Sequence, residues 1–323
     1  MSCSSKYSFL DTPDFLKASL HTVTLVSTPV YALGFYCILF KTPKQMASVK
    51  WDLFILHFWI IHFDFLTGVF VVPQLIPPAA AGVTHGLFRS LGVSPAIQTM
   101  LIFVNACYIF IATIAIYENR FFLLCQFHGK QFWAIGRRFW LFSHYFLVPV
   151  IMIPMYYLIP DQDYAIQKVF EQLPCLPSFI VNDQLFVFAL DPTFHFTAAV
   201  LGLSVAFLET GWFISKLIRN GRSQMKSKTI SKKLYQMNQQ FMLAMFLQMT
   251  VPLICIGFPV CYIIAVDLIV YYNQAASNIC VITSTIHGLV STTVMIIVHK
   301  PYRLAVLSMI RKDKSGTLKV FNV

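Results

Sequence analysis

The chain has 323 residues, of which 57% are hydrophobic and only 11% charged, and it carries a formal net charge of +11. That balance is far from a soluble average and excludes a pair of ordinary water-soluble domains. The positive charge flanks long apolar segments, where anionic lipid and membrane topology account for it, so no nucleic-acid partner is expected.

Seven apolar runs follow one another, at about 18–40, 53–76, 95–117, 139–159, 193–215, 240–264 and 276–298. Each is about 20 residues or longer, enough to cross ~30 Å of hydrocarbon at 1.5 Å per helical residue. They predict an all-α membrane protein, a single seven-transmembrane helix bundle occupying residues 1–323. The links at 41–52, 118–138 and 216–239, with the tail from 299, hold 20 of the 24 basic residues. The other set of loops holds only Lys6, Lys17, Arg89 and Lys168. The positive-inside rule then predicts an extracellular N-terminus and a cytoplasmic C-terminus. The polar first 17 residues are expected to be translocated by the first span acting as a signal anchor, without cleavage. No Asn-x-Ser/Thr sequon occurs, so N-glycosylation is not expected.

In the second span stands Asp64, about 18 Å along the helix from Asp52, with His57 and Ile61 on its face. An ionisable residue at that depth is a functional candidate: Asp64 with His57 reads as an intramembrane polar latch or ion site. The alternative is a carboxylic acid kept neutral by burial and hydrogen-bonded to a neighbouring helix. The third span closes on Tyr117-Glu118-Asn119-Arg120, an acid and an arginine two residues apart at the inner boundary. An always-charged guanidinium there can hold a carboxylate at rest and release it to a partner. Arg120 is expected at the boundary rather than in the core. The loop at 160–192 carries Pro160, Pro174, Pro177 and Pro192, and its run from Phe179 to Leu190 predicts a short strand or hairpin.

In the fifth span Glu209, seven residues from Lys216, is expected to snorkel toward water. The link that follows is rich in Arg219, Arg222, Lys232 and Lys233; Asn220-Gly221 should end one helix and Ser231 should cap the next. Pro252 and Pro259 each remove a backbone donor from the sixth span and predict a hinge. Past the seventh span, Leu304, Leu307 and Ile310 among basic residues predict a short amphipathic helix on the inner leaflet.

The eight cysteines lack metal spacing. Cys3 and Cys175 alone lie clearly in outer segments, and a bridge between them would pin the N-terminus to the 160–192 loop. Cys261 and Cys280, near outer helix ends, are rival partners. Catalysis is not expected: no His-Glu-x-x-His is present, and no lysine in 276–298 offers a retinal attachment. No cofactor is expected.

Glu118-Asn119-Arg120 resembles the Glu/Asp-Arg-Tyr element of seven-helix G-protein-coupled receptors, with Asn119 inserted and Phe121 in place of Tyr. Further segments match in order along nearly the whole chain. They are Lys41-Thr42-Pro43-Lys44-Gln45-Met46 with Val49-Lys50-Trp51, then Pro73, Pro77-Pro78 and Ala81-Gly82. Leu173-Pro174-Cys175, His287-Gly288 with Ser291-Thr292, and His299-Lys300-Pro301-Tyr302-Arg303 complete the series. Together they resemble the class H serpentine chemoreceptors of nematodes. The chain lacks an Asn-Pro-x-x-Tyr motif in its last span and a cysteine at the outer start of the third, unlike rhodopsin-like receptors. The resemblance implies a chemosensory receptor in the plasma membrane of sensory-neuron cilia. It would bind a small-molecule odorant or pheromone in the outer half of the bundle and signal to a heterotrimeric G protein through an inner cleft. Glu118, Arg120, Arg219, Arg222, Lys232 and Lys233 would form the coupling surface. The alternative is a ligand-gated channel or transporter subunit.

Overall fold

A computed structural model describes residues 7–181, 183–228 and 231–314. Its helices are α1 (Pro13–Phe40), α2 (Lys50–Phe65), α3 (Leu87–Ser90), α4 (Pro95–Leu124), α5 (Lys130–Tyr157), α6 (Gln162–Gln172), α7 (Ser178–Val181), α8 (Thr193–Lys226), α9 (Lys232–Cys255), α10 (Gly257–Ile269), α11 (Gln274–Val298) and α12 (Lys300–Lys314). Six helical segments among the described residues are long and apolar enough to span a membrane. The sixth apolar run of the sequence is not one of them, because it is split at Ile256 into α9 and α10. The break lies three residues before Pro259, whose ring removes an amide donor from the first turn of α10.

Polar residues punctuate the helix starts at the end away from the basic loops. Thr12 accepts from the Phe15 amide ahead of Pro13, Ser94 from Ile97 ahead of Pro95, and Asn273 from Ala276. A hydroxyl or amide at N-cap satisfies one orphan donor, and proline at the first position forfeits none. At the opposite end Asn220-Gly221 does not terminate α8, contrary to expectation. The helix runs on to Lys226 because the Asn220 side chain is used elsewhere, donating to the Leu124 carbonyl of α4 at 2.8 Å. α9 begins directly after Ser231, as the sequence predicts.

The main core lies between α1, α2, α4 and α11, with Phe213 and Leu217 of α8, Met245 of α9 and Tyr302 of α12 joining it near the basic-loop end. α5 and α8 bury little, and their Phe, Leu, Ile and Val side chains face outward. In a bilayer that surface meets hydrocarbon, which is as apolar as the side chains themselves.

α2 ends through a π-turn, Leu66–Phe70, with the Val71 amide donating to the Leu66 carbonyl at 2.8 Å. The second apolar run therefore stops being helical at Phe70. Its last residues enter β1 (Pro73–Leu75), which pairs antiparallel with β2 (Ala80–Thr84), and β2 pairs antiparallel with β3 (Phe186–Ala189). This small three-stranded sheet stands beside the helical bundle and includes the strand that the 160–192 loop predicts. The 160–192 loop does contribute a strand, and it pairs with β2 in the loop after α2 instead of folding back as a hairpin. Ile76, Val83, Val169, Leu173, Ile180 and Val187 give sheet, α6 and α7 a second hydrophobic core of their own. Gln162 covers the free edge of β3, accepting from the Val187 amide at 3.0 Å and donating to its carbonyl at 3.1 Å.

Candidate functional site

Two polar constellations interrupt the apolar interior. In the first, Asp64 of α2 accepts from the Tyr31 hydroxyl of α1 and lies 3.2 Å from His287 Nδ1 of α11. The Asp64 and His287 side chains keep 1% and 0% of their surface exposed. His57 is buried on the same face of α2, as its spacing predicts, and its Nε2 lies 3.2 Å from the Tyr31 carbonyl. His57 and Asp64 thus meet through Tyr31, one at its backbone and one at its hydroxyl. Close backbone approach makes this possible. A Cβ on Gly288 would overlap the Asp64 carboxylate and lie 2.7 Å from the Tyr31 hydroxyl, and one on Gly34 would lie 2.6 Å from His57 Nε2. Glycine is the residue that lets three helices come so near. The cluster is a three-helix clasp in low dielectric, where losing one partner is costly.

The second constellation sits at the basic-loop end. Glu118 of α4 accepts from Arg137 of α5 at 2.6 and 3.1 Å and from the Trp133 indole at 2.8 Å. Arg137 also donates to Asn119 Oδ1 at 3.0 Å, and its guanidinium lies 4.4 Å from the Phe122 ring centroid. The Asn119 amide donates to the Ser48 carbonyl at 2.8 Å and to the Asp52 carboxylate of α2. The inserted asparagine is therefore a hub joining α2, α4 and α5. Glu118 and Arg120 do not serve each other: residues two apart on a helix diverge by roughly 200°. Arg120 is buried, with 7% exposure, and faces the electrostatic field of Asp52 and His299. That corrects the expectation of a boundary guanidinium. Burial, reinforced by the Arg120 cation, holds the His299 imidazole down at about 4. Tyr302 of α12, fully buried, shares a hydroxyl hydrogen bond of 2.8 Å with Thr42.

A cavity of about 230 Å³ lies beside this network, between the ends of α4, α8 and α9, and Tyr117, Leu217, Asn220, Tyr235, Met242 and Phe246 are on its walls. Arg219, Arg222 and Lys232 are exposed on the same end of the molecule.

The family model described as serpentine type 7TM GPCR chemoreceptor Srh matches residues 11–312. The chain belongs to this family. A curated relative, serpentine receptor class H-72 of Caenorhabditis elegans, is 22% identical over 313 residues, covering 96% of this chain and 90% of that protein. The protein is thus a multi-pass membrane protein of a receptor family, in agreement with the sequence resemblance.

Several residues of this receptor fall differently from the sequence expectation. Glu209 has a partner on a neighbouring helix that the sequence did not suggest: its carboxylate lies 3.2 Å from His144 Nε2 of α5. Cys175 is disulfide-bonded, whereas the rival cysteines Cys261 and Cys280 are free. Cys3 and the side chains of Lys233 and Pro252 lie outside the described residues. Sequence reasoning missed His287 and Arg137 as the partners of Asp64 and Glu118. Trp133 and Arg137, four apart in the second basic link, were the available signal, since that spacing aims both at one neighbour.

Proposed function

We propose that this chain is a G-protein-coupled chemosensory receptor of the plasma membrane, in sensory cilia, with its N-terminus outside and its basic loops in the cytoplasm. A small-molecule odorant or pheromone binds in the outer half of the bundle, under the sheet-and-helix cap. It favours an arrangement in which the inner end of α9 moves away from α4 and α8. A heterotrimeric G protein then docks in the opened cleft against Arg219, Arg222, Lys232 and Lys233. Glu118 and Arg120 act as the switch, and the Tyr31–Asp64–His287 clasp, with His57, keeps α1, α2 and α11 in register during the motion. The Cys175 bridge runs to Cys3 and fixes the cap.

One observation carries this reading: the α9–α10 break at Ile256 makes α9 a separate lever, and its far end borders a cavity instead of a packed seam. The G protein would dock where this cavity stands, between the ends of α4, α8 and α9. The test is cue-stimulated nucleotide exchange on G protein added to vesicles holding the receptor. Cue-evoked current in vesicles free of G protein, without exchange, would establish a channel instead. An epitope tag before Lys6 should be accessible on unpermeabilised cells; labelling only after permeabilisation overturns the orientation.

A further inference from the structure

We infer that residues 66–72 form a two-position backbone switch, held by the cap, that sets how tightly the cap end of α2 grips α1 and α11. Two unfavourable backbone features stand there in tandem. The π-turn Leu66–Phe70 holds one residue more than an α-turn, and such turns recur at functional positions. Val72, two residues on, is buried and has a φ of 47°. A branched Cβ is strained in that left-handed region. Pro73 adds to the strain, since the residue before a proline prefers extended backbone.

Contacts from the cap hold this conformation. The His85 amide donates to the Val71 and Val72 carbonyls at 3.1 Å each, and the Gly86 amide donates to the Val71 carbonyl at 2.9 Å. Gly86 lies so close that a Cβ on it would overlap the Phe70 carbonyl. Both residues directly follow β2, so a closed sheet presses them onto the end of the turn. The start of the turn carries the helix contacts. Thr67 Oγ1 lies 3.3 Å from Thr285 Oγ1 of α11, close in sequence to Asp64 and His287. Gly68 meets α1 where a Cβ would overlap the Thr24 hydroxyl. The second position follows from the hydrogen bonds. When the cap lifts, the Phe70 amide takes the Leu66 carbonyl from Val71, the turn closes as α-helix, and Val72 relaxes to extended backbone. That change winds residues 67–71 further round the α2 axis, carrying Gly68 off Thr24 and Thr67 off Thr285. Because only glycine fits against Thr24, α1 and α2 part at the cap end. The coupling is reciprocal: whatever holds the cap shut holds the three helices together there.

The test uses the full chain in phosphatidylcholine nanodiscs with carbon-13 in the threonine methyl groups. Thr24, Thr67 and Thr285 report the helix contacts and Thr84 of β2 reports the cap, each signal being assigned by its Thr→Ser variant. Gly86→Ala, which lifts the cap from Phe70, should give all four a second, displaced signal. Adding Val72→Gly should then lower the ratio of displaced to native signal about fivefold relative to adding Val72→Ala, since only glycine is free in the left-handed region. Both substitutions give up buried methyl groups, so the comparison isolates the backbone. Raised salt, which screens the Arg89–Asp183 pair, should displace the same signals in the unmodified chain, and more so in Val72→Ala than in Val72→Gly. The salt series decides the matter if Gly86→Ala does not fold. Displacement of Thr84 alone, with Thr24, Thr67 and Thr285 in place, overturns the coupling. Equal behaviour of Val72→Gly and Val72→Ala overturns the strained hinge. No readout needs a cue or a G protein, so the result stands apart from the test of the receptor reading.

Discussion

Removing Arg137 should destabilise the receptor more than neutralising Glu118, although the two residues form one ion pair. Glu118 keeps 4% of its side-chain surface exposed and Arg137 keeps 23%. Arg137→Ala strands a buried carboxylate with only the Trp133 indole to hold it. The expected loss is about 3 kcal/mol, the low end for breaking a buried pair because Arg137 is partly solvated. Glu118→Gln preserves an oxygen for the Trp133 indole, and Arg137 retains Asn119, Phe122 and some water. Its loss should be about 1 kcal/mol, one hydrogen bond's worth. At an effective dielectric near 20 the gross attraction is about 4 kcal/mol, most of it offset by desolvation, so the coupling should be about 1–2 kcal/mol. The double variant should then lose less than the sum of the single losses. Reversible unfolding of the purified receptor in mixed micelles measures all three, and the cycle isolates the pair. Strictly additive losses, or a Glu118→Gln variant as damaged as Arg137→Ala, would refute the stranded-charge argument.

Gly288→Ala should destabilise by roughly 1–3 kcal/mol through overpacking against Asp64 and Tyr31, measured the same way; an unchanged stability would show the clasp to be loose. Acid should weaken the cap through His85, whose imidazole is held at about 4 by burial and by Lys17, with Arg89, Asp183 and Asp14 also facing it. The folded state then binds fewer protons than the unfolded one between pH 6.5 and 4, so stability is full above that window and falls as pH drops through it. The loss should reach about 2 kcal/mol by pH 5. His85→Gln should flatten the thermal-shift difference between pH 7.5 and pH 5, and a full acid response in that variant would assign it to other groups. Cys3→Ser and Cys175→Ser should each cost about 3–5 kcal/mol of cap stability, and the double variant no more than either, since one bond is lost. Additive damage at the cell surface would mean that Cys175 pairs elsewhere.

Six of the seven apolar runs lie in helices long and apolar enough to span a membrane, and they were legible because hydrocarbon thickness acts on simple composition. The helix starts at Thr12, Ser94 and Asn273 went unread, although each is set by a side chain that caps an amide three residues on. Partner identities were not legible either. Asp64 announces itself by depth, but nothing within α2 says that its counter-group comes 223 residues later from α11. Glu118 next to Arg120 misled for a geometric reason: proximity in sequence sets two helical side chains on different faces. The sheet was half legible. β3 carries an alternating apolar pattern, whereas β1 lies inside a run whose hydrophobicity reads as more helix.

The cap over the end opposite the basic loops has a core that is its own. Its apolar side chains pack largely on one another, with Val72 and Leu75 alone of that region grouped with Leu16, Leu20 and Val281 of α1 and α11, so much of the free energy that closes it is distinct from that which assembles the helices. It can open as a cooperative unit of modest stability while the membrane-embedded helices remain folded. The Arg89–Asp183 ion pair ties the segment after α2 to the loop before α8 across that unit, and both groups are within reach of water. If the cue binds beneath the cap, as proposed, a water-borne compound must wait for such openings, and raised salt, by screening the tie, shortens the wait. A lipid-soluble compound entering sideways between helices would not wait. Two cues of equal affinity would then differ in how fast the receptor reports them, and the difference would be set by the lid and not by the pocket.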